Sequence, residues 1–198
     1  PRPKRHRERR FVCAEACLEA MQNWDPASPA AASLVNASGV TGLHVAAEAS
    51  DLAMCRLLLA FDAQVDAPEA LEGATPLMSA LRAGSTPETV EQLLRASADP
   101  HRRDGRGGTT LHYAAARGDE GLQVLTLLLE ARVEADARDE AGASALAVAG
   151  VRGAPGLVRV LLAAGARPQA CRALLPAMPA AAKGPDGRSC RQILEAVM

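Results

Sequence analysis

Five cysteines, four histidines and one glycine-rich turn are where this sequence has residues capable of chemistry. Cys13 and Cys17 stand one helical turn apart, a spacing at which two thiolates can share a metal. No second ligand pair accompanies them, so they read as cysteines at a core edge. The spacings to Cys55, Cys171 and Cys190 repeat nothing, and an odd, irregular set supports neither a disulfide framework nor a zinc knuckle. Free thiols in a reducing compartment are expected. Cys55 lies among leucines in a helical run, the setting of an inert buried thiol rather than an activated nucleophile. Residues 105–110, Gly-Arg-Gly-Gly-Thr-Thr, precede a helix start and offer N–H groups to an anion. A phosphate loop also needs Lys before the hydroxyl residue and a preceding strand, and both are missing, so a turn with positive φ is the better reading. His101 and His112 have no partner at metal-ligand spacing, and Ser, His and Asp are scattered without a nucleophile turn. No catalytic residue, metal or cofactor is expected.

The composition fits a protein of closely packed short helices. Apolar residues make up 48% of 198, mostly Ala, Leu and Val, and the only aromatics are Phe11, Trp24, Phe61 and Tyr113. Ala has the lowest helix cost and lets backbones approach, whereas base stacking needs aromatic platforms. Direct nucleic-acid binding is therefore not expected. The net charge of −1 hides an asymmetry: residues 1–10 carry +5 and the remainder −6. That basic tail cannot bury anything and is expected to be flexible. It reads either as a localisation signal or contact with acidic surfaces, or as a solvated flank. The longest uncharged run, 26–47, is broken by Pro29, Asn36, Gly39 and Gly42 and cannot span a bilayer as a helix. The chain starts on Pro1, which suggests a fragment of a longer protein.

One pattern organises the elements that would position any functional residue. Residues 107–115 read Gly-Gly-Thr-Thr-Leu-His-Tyr-Ala-Ala, and variants occupy 39–47, 73–81 and 142–150. The hydroxyl residue falls at Thr41, Thr75, Thr109 and Ser144, in steps of 34, 34 and 35, the mark of stacked repeat units. Local chemistry predicts the unit. Thr75-Pro76 is an N-cap followed by Pro at the first helical position, and Leu77, Ala80 and Leu81 make one apolar face. Gly84 stops that helix. Ser85 or Thr86 caps the next, with Glu88 completing a possible capping box and Val90, Leu93 and Leu94 as its stripe. Upstream, Phe11, Ala14, Leu18, Met21 and Trp24 form a single helical stripe ended by Asp25-Pro26, suited to capping the first unit.

The motif closely resembles the ankyrin repeat, whose unit runs Gly-x-Thr-Pro-Leu-His-x-Ala-Ala, then Gly, then a helix ending in Leu-Leu and Gly-Ala. Thr41, Leu43-His44, Ala46-Ala47 and Leu57-Leu58-Leu59 carry it in the first repeat. Thr109, Leu111-His112, Ala114-Ala115 and Gly118 carry it in the third, and Ser144, Leu146, Gly153 and Gly165-Ala166 in the fourth. The resemblance covers 38–169 and implies an all-α ankyrin-repeat solenoid of helix-turn-helix units with extended, hairpin-like turns. It divides the chain into a basic tail (1–10), an N-terminal capping helix and loop (11–38) and four repeats (39–72, 73–106, 107–141, 142–170). A Pro/Ala-rich loop (171–186) and a C-terminal capping half-repeat (187–198) follow, the latter burying Ile193, Leu194 and Val197. Extra residues fall near 85–87, at Asp119-Glu120 and within 66–72. In this family the motif His bonds a neighbouring turn, which Met78 and Ala147 cannot do.

The resemblance also implies a function: members bind partners through the turn tips and the first helix of each repeat. By position, the tips here are 68–72, 102–106 and 138–141. The exposed first-helix residues are expected to be Val45, Glu48, Ser79, Arg82, Tyr113, Arg117, Val148 and Arg152. Arg117 and Arg152 hold equivalent places 35 apart, with Arg82 one position earlier in its repeat. Arg and Tyr are enriched at interface hot spots; cations near helix C-termini are also expected for helix-dipole reasons alone. The expected partner-binding set is Arg82, Arg102, Arg103, Arg106, Tyr113, Arg117, Arg138 and Arg152, taking an acidic or mixed protein segment. This reads as a non-enzymatic adaptor, cytoplasmic or nuclear. Two alternatives stand beside it: a transcription-related nuclear regulator localised by residues 1–10, and the targeting module of a larger enzyme.

Overall fold

The structure, a computed structural model, describes residues 35–179, 184 and 187–198. The basic tail and the expected capping helix over 11–24 lie outside the described residues. Two units divide between Ala98 and Asp99. Each is built from pairs of short helices, and among the described residues extended pairing is confined to isolated bridges between single residues.

In the first unit the helices are α1 (Gly42–Glu48), α2 (Leu52–Ala60), α3 (Pro76–Ala83) and α4 (Pro87–Arg95). Thr41 and Thr75 are extended N-caps for α1 and α3, Pro76 opens α3, and Gly84 at φ +83° ends it in the left-handed region. First helix packs on first helix (α1 on α3) and second on second (α2 on α4). Leu43, Ala47, Cys55, Leu77, Met78, Ala80, Leu81, Val90 and Leu93 form a core without solvent contact. Each buried leucine contributes about 1.5–3 kcal/mol of transfer free energy. Met78, which replaces the motif His, sits in that core.

The α4 N-terminus departs from the expected capping box. Thr86 is the N-cap, but its hydroxyl meets the Thr89 hydroxyl at 3.2 Å, and Glu88 is exposed. The preceding repeat supplies a partner instead: the Ser50 hydroxyl accepts from Thr86 N (3.4 Å), while the Ser85 hydroxyl donates to the Ala47 carbonyl in the last turn of α1 (2.5 Å).

The second unit contains α5 (Thr110–Ala116), a 3-10 turn (Gly118–Gly121), α6 (Leu122–Glu130), α7 (Ala145–Arg152), α8 (Pro155–Ala163) and α9 (Cys190–Glu195). The Asp119-Glu120 insertion forms the 3-10 turn, and it has a structural consequence. Ala154, the N-cap of α8, has no side chain able to cap; the Asp119 carboxylate accepts from Gly156 N at 3.2 Å in its place. Again a repeat caps its successor's second helix.

After α8 the structure corrects the first part of the loop expected over 171–186; residues 180–183, 185 and 186 lie outside the described residues. Pro168–Ala177 is a 3-10 segment with Pro168 in its first turn, where a missing N–H costs nothing. It packs on α7, where a further first helix would otherwise lie, and also meets α9. The reason is visible at Gly150: an added Cβ would stand 2.5 Å from Met178 Cε, so the glycine lets the methionine settle against α7. The last helix buries Ile193 and Leu194 as expected, but Val197 lies beyond its end and is exposed.

Candidate interaction surface

The finger turns and the first helices are held together by backbone bonds within each unit. In the first, Ala70 N donates to Ser38 O at 2.9 Å. In the second, Glu140 N donates to Arg106 O at 2.9 Å. Gly39 allows the former contact: its φ is +70°, and a Cβ there would stand 2.8 Å from Ala70 N. One finger in each unit is then tied to the first helix beside it by a motif histidine. His44 Nε2 donates to Ala74 O (3.1 Å) and His112 Nε2 to Ala143 O (3.0 Å). The Nδ1 atoms accept from the N–H and hydroxyl of the N-cap threonine, Thr41 for His44 and Thr109 for His112. This arrangement needs neutral imidazole with the proton on Nε2. Burial lowers the His44 pKa against the raising effects of the Ala74 carbonyl and nearby Glu69 and Glu48, with Arg82 adding to the lowering. Both histidines are thus structural.

Arg82 is where the expected site residues meet the most opposition. It lies in the first unit, and its guanidinium binds three carboxylates: Glu72 at 2.9 Å, Glu48 at 3.0 Å and Glu69 at 3.3 Å. Burial disfavours its charge, but the Glu48 hydrogen bond and the Glu69, Glu48 and Glu72 charges outweigh that and raise its pKa. Ser79, expected on the surface, is instead buried beneath this guanidinium, its hydroxyl accepting from it at 3.4 Å. The cluster ties α1, α3 and the intervening finger together. Its sequence signal was available: Glu48 and Arg82 each stand seven residues after their repeat's N-cap threonine, and so are adjacent across stacked first helices.

The second unit places the remaining residues in its fingers and first helices. Asp104 organises the first finger: one carboxylate oxygen accepts from Gly108 N (2.7 Å) and Arg106 N (2.8 Å), the other from the Tyr113 hydroxyl (2.6 Å). Tyr113 is half-buried and its hydroxyl is committed to this finger, contrary to the expectation of a tyrosine free for a partner. Arg103 donates to the Arg138 carbonyl (2.8 Å) and lies 4.0 Å from Glu134, bridging the two fingers. Arg117 is half-buried at the end of α5, and burial lowers its pKa against the charge of Glu120. Arg102, Arg106, Arg138 and Arg152 are exposed. Among the described residues, no carboxylate is ion-paired with Arg102, Arg138 or Arg152. Arg152 borders an open notch of about 170 Å³ lined by Ala143, Ala147, Val148 and Val151.

Cys13 and Cys17 lie outside the described residues. Cys55, Cys171 and Cys190 are buried. Burial, with the Asp51 charge, pushes Cys55 up to about 11; burial, with the Asp119 charge, does the same for Cys190. Both stay protonated near neutrality, the unreactive form. Among the described residues no group of three or more His, Cys, Asp or Glu is placed to hold a metal, and no helix is long and apolar enough to cross a membrane.

Paired helices, extended fingers and, in each unit, a histidine joining one finger to the preceding first helix define an all-α helical-repeat protein of the kind that mediates protein contacts. The chain belongs to the ankyrin-repeat family: a sequence model described as ankyrin repeats (3 copies) matches residues 11–104 and 84–171. It is also similar to Protein PhlB of Serratia liquefaciens, 46% identical over 89 residues. That alignment covers 45% of this chain and 37% of PhlB, so the chain spans little more than a third of that relative's length.

Proposed function

We propose that this chain is a non-enzymatic protein–protein interaction module that holds an acidic or mixed partner segment against its finger turns and first helices. The observation that carries the reading is in the second unit. Arg102, Arg138 and Arg152 project from fingers and a first helix, and among the described residues no carboxylate pairs with them. Unpaired guanidinium groups on rigid supports lose little freedom on binding and match carboxylates with two parallel hydrogen bonds. Arg106, Tyr113 and Arg117 border the same surface, whereas Arg82 and Arg103 reach a partner only in competition with the intramolecular contacts they already make. The test is affinity capture from extracts of the source cells with wild type and an Arg138→Glu/Arg152→Glu variant, with folding checked by circular dichroism. Specific partners should be lost from the folded variant; undiminished recovery rejects the reading.

A cytoplasmic or nuclear site of action is part of the proposal. The +5 charge of residues 1–10 supports a nuclear, transcription-related role. Imaging a variant lacking residues 1–10 tests that role: loss of nuclear signal is expected, and an unchanged distribution removes it.

A further inference from the structure

Within each unit, the second helix of the later repeat has one side turned to the repeat before it. Gln92 on α4 marks that side, because its side chain accepts from Arg56 Nε on α2 at 3.0 Å. Counted from the buried leucines Leu93 of α4 and Leu161 of α8, Gln92 and Val160 stand one residue back, and Thr89 and Leu157 four back. Residues three apart on a helix share a side, so Thr89 faces the preceding repeat with Gln92. Thr89 and Leu157 are without solvent contact, and Gln92 and Val160 are half-buried. In the first repeat the same places, counted from Leu58, hold Met54 and Leu57. Both are apolar and both are less covered: Met54 is half-buried and Leu57 is 44% exposed. Among the described residues no helix precedes the first repeat.

A cover for this side is encoded one repeat upstream in the same chain. The first repeat step, from Thr41 to Thr75, is 34 residues. At the same 34 residues before Leu52, Cys55 and Leu58 of α2 stand Leu18, Met21 and Trp24. The upstream stripe therefore falls in the register of a second helix, with Glu19 and Gln22 between its apolar members. A first helix is not encoded ahead of it: position 7, at 34 residues before Thr41, is Arg7, which cannot supply the N-cap hydroxyl. The ankyrin match that opens at residue 11 takes in the stripe.

We propose that residues 18–24 close the open side of α2 as the second helix of an incomplete repeat, standing on α2 as α2 stands on α4. Met21 and Trp24 then occupy the register of the buried Cys55 and Leu58, and Met54 and Leu57 are withdrawn from water. An end repeat of a stacked array needs such a cover for its outer side. The Leu57 side is thereby assigned to the chain itself, and the fingers and first helices are left to a partner.

Trp24 is the chain's single tryptophan, so its fluorescence in the full chain reports this contact directly. Its emission should be blue-shifted, and its ring protected from acrylamide, relative to the urea-unfolded chain. Leu57→Asp on α2 and Leu18→Asp on the segment should each move emission and quenching to the unfolded values, with the far-UV circular dichroism of the repeats retained. Glu19→Ala should leave both at wild type. If Leu57→Asp does not fold, Leu18→Asp, which alters no described residue, carries the test. A photoreactive residue at position 57 should link within the same chain, to a peptide that mass spectrometry maps to 18–24. Trp24 open to the quencher in folded wild type, protection that survives either Asp substitution in a folded protein, or a link from position 57 to a second chain overturns the proposal; so does absence of the internal link. Partner binding is judged separately by the capture experiment above.

Discussion

Two arginines of the same expected site should behave in opposite ways when replaced by methionine, which keeps an unbranched apolar stem and removes the charge. Arg82→Met takes one cation from among three carboxylates within 3.3 Å. Glu48 and Glu72 are 32% and 35% exposed and the Arg82 side chain 34%, so solvent screens those pairs and each is worth at most a few tenths to about 1 kcal/mol. Glu69 is only 8% exposed; without Arg82 its charge is left buried beside two others, which costs more than a surface pair returns. The sum is a loss of about 1–2 kcal/mol. Arg152→Met removes no ion pair seen among the described residues and should stay within about 0.5 kcal/mol of wild type. Urea denaturation followed by far-UV circular dichroism measures both. Repeating it in about 1 M NaCl, where the screening length falls to about 3 Å, should shrink the Arg82 effect and leave Arg152 unchanged. Equal losses for the two variants, or an Arg82 effect indifferent to salt, would refute the assignment of Arg82 to an internal cluster.

Three further outcomes follow from the same geometry. Asp119→Ala removes the carboxylate capping α8 from the preceding repeat and should cost about 1 kcal/mol in the same denaturation assay, within the range for lost N-caps. Asp119→Asn should recover part of it. Gly39→Ala forces a side chain into left-handed backbone, costing about 1–2 kcal/mol before any clash with Ala70 N, and should lower the melting temperature more than Gly142→Ala, which is equally left-handed but open around its Cβ. His44 has a folded pKa below its unfolded value, so the unfolded chain binds more protons between the two. Its contribution is therefore intact above about pH 6.5 and is lost as the pH falls below it. Melting curves from about pH 7.5 to 5.5 should fall for wild type and flatten for His44→Gln; parallel curves would contradict the assignment.

The repeat scaffold was legible because its signals are local. Thr75-Pro76 specifies a cap and a helix start without reference to anything distant, and the recurrence of Leu43 and Leu77, then of Leu111 and Leu146, at the same register marks the core of each unit. Three things were not legible in this way. The 3-10 segment after α8 depends on Met178 finding room above Gly150, a contact between residues 28 apart whose only sequence trace is a missing side chain. The capping of α4 and α8 by Ser50 and Asp119 is likewise invisible to local pattern, because the cap and the helix it serves belong to different repeats. The candidate surface was misread in part for the opposite reason. The arginines stand in register with one another in the sequence, but it is the register that Arg82 shares with Glu48, Ala116 and Val151 that decides its role. Reading down that register separates the ionic positions of the first unit, Glu48 and Arg82, from the apolar positions of the second, Ala116 and Val151.

The central claim, that a partner is held on the finger and first-helix face, is tested most directly by site-specific photo-crosslinking in the source cells. Val151 on α7 and Leu57 on α2 are both 44% exposed, so a photoreactive residue at either has the same access to solvent and differs in the face it occupies. The account predicts a discrete protein adduct from position 151, abolished by Arg138→Glu/Arg152→Glu, and none from position 57. An adduct from position 57 with none from position 151 would contradict it.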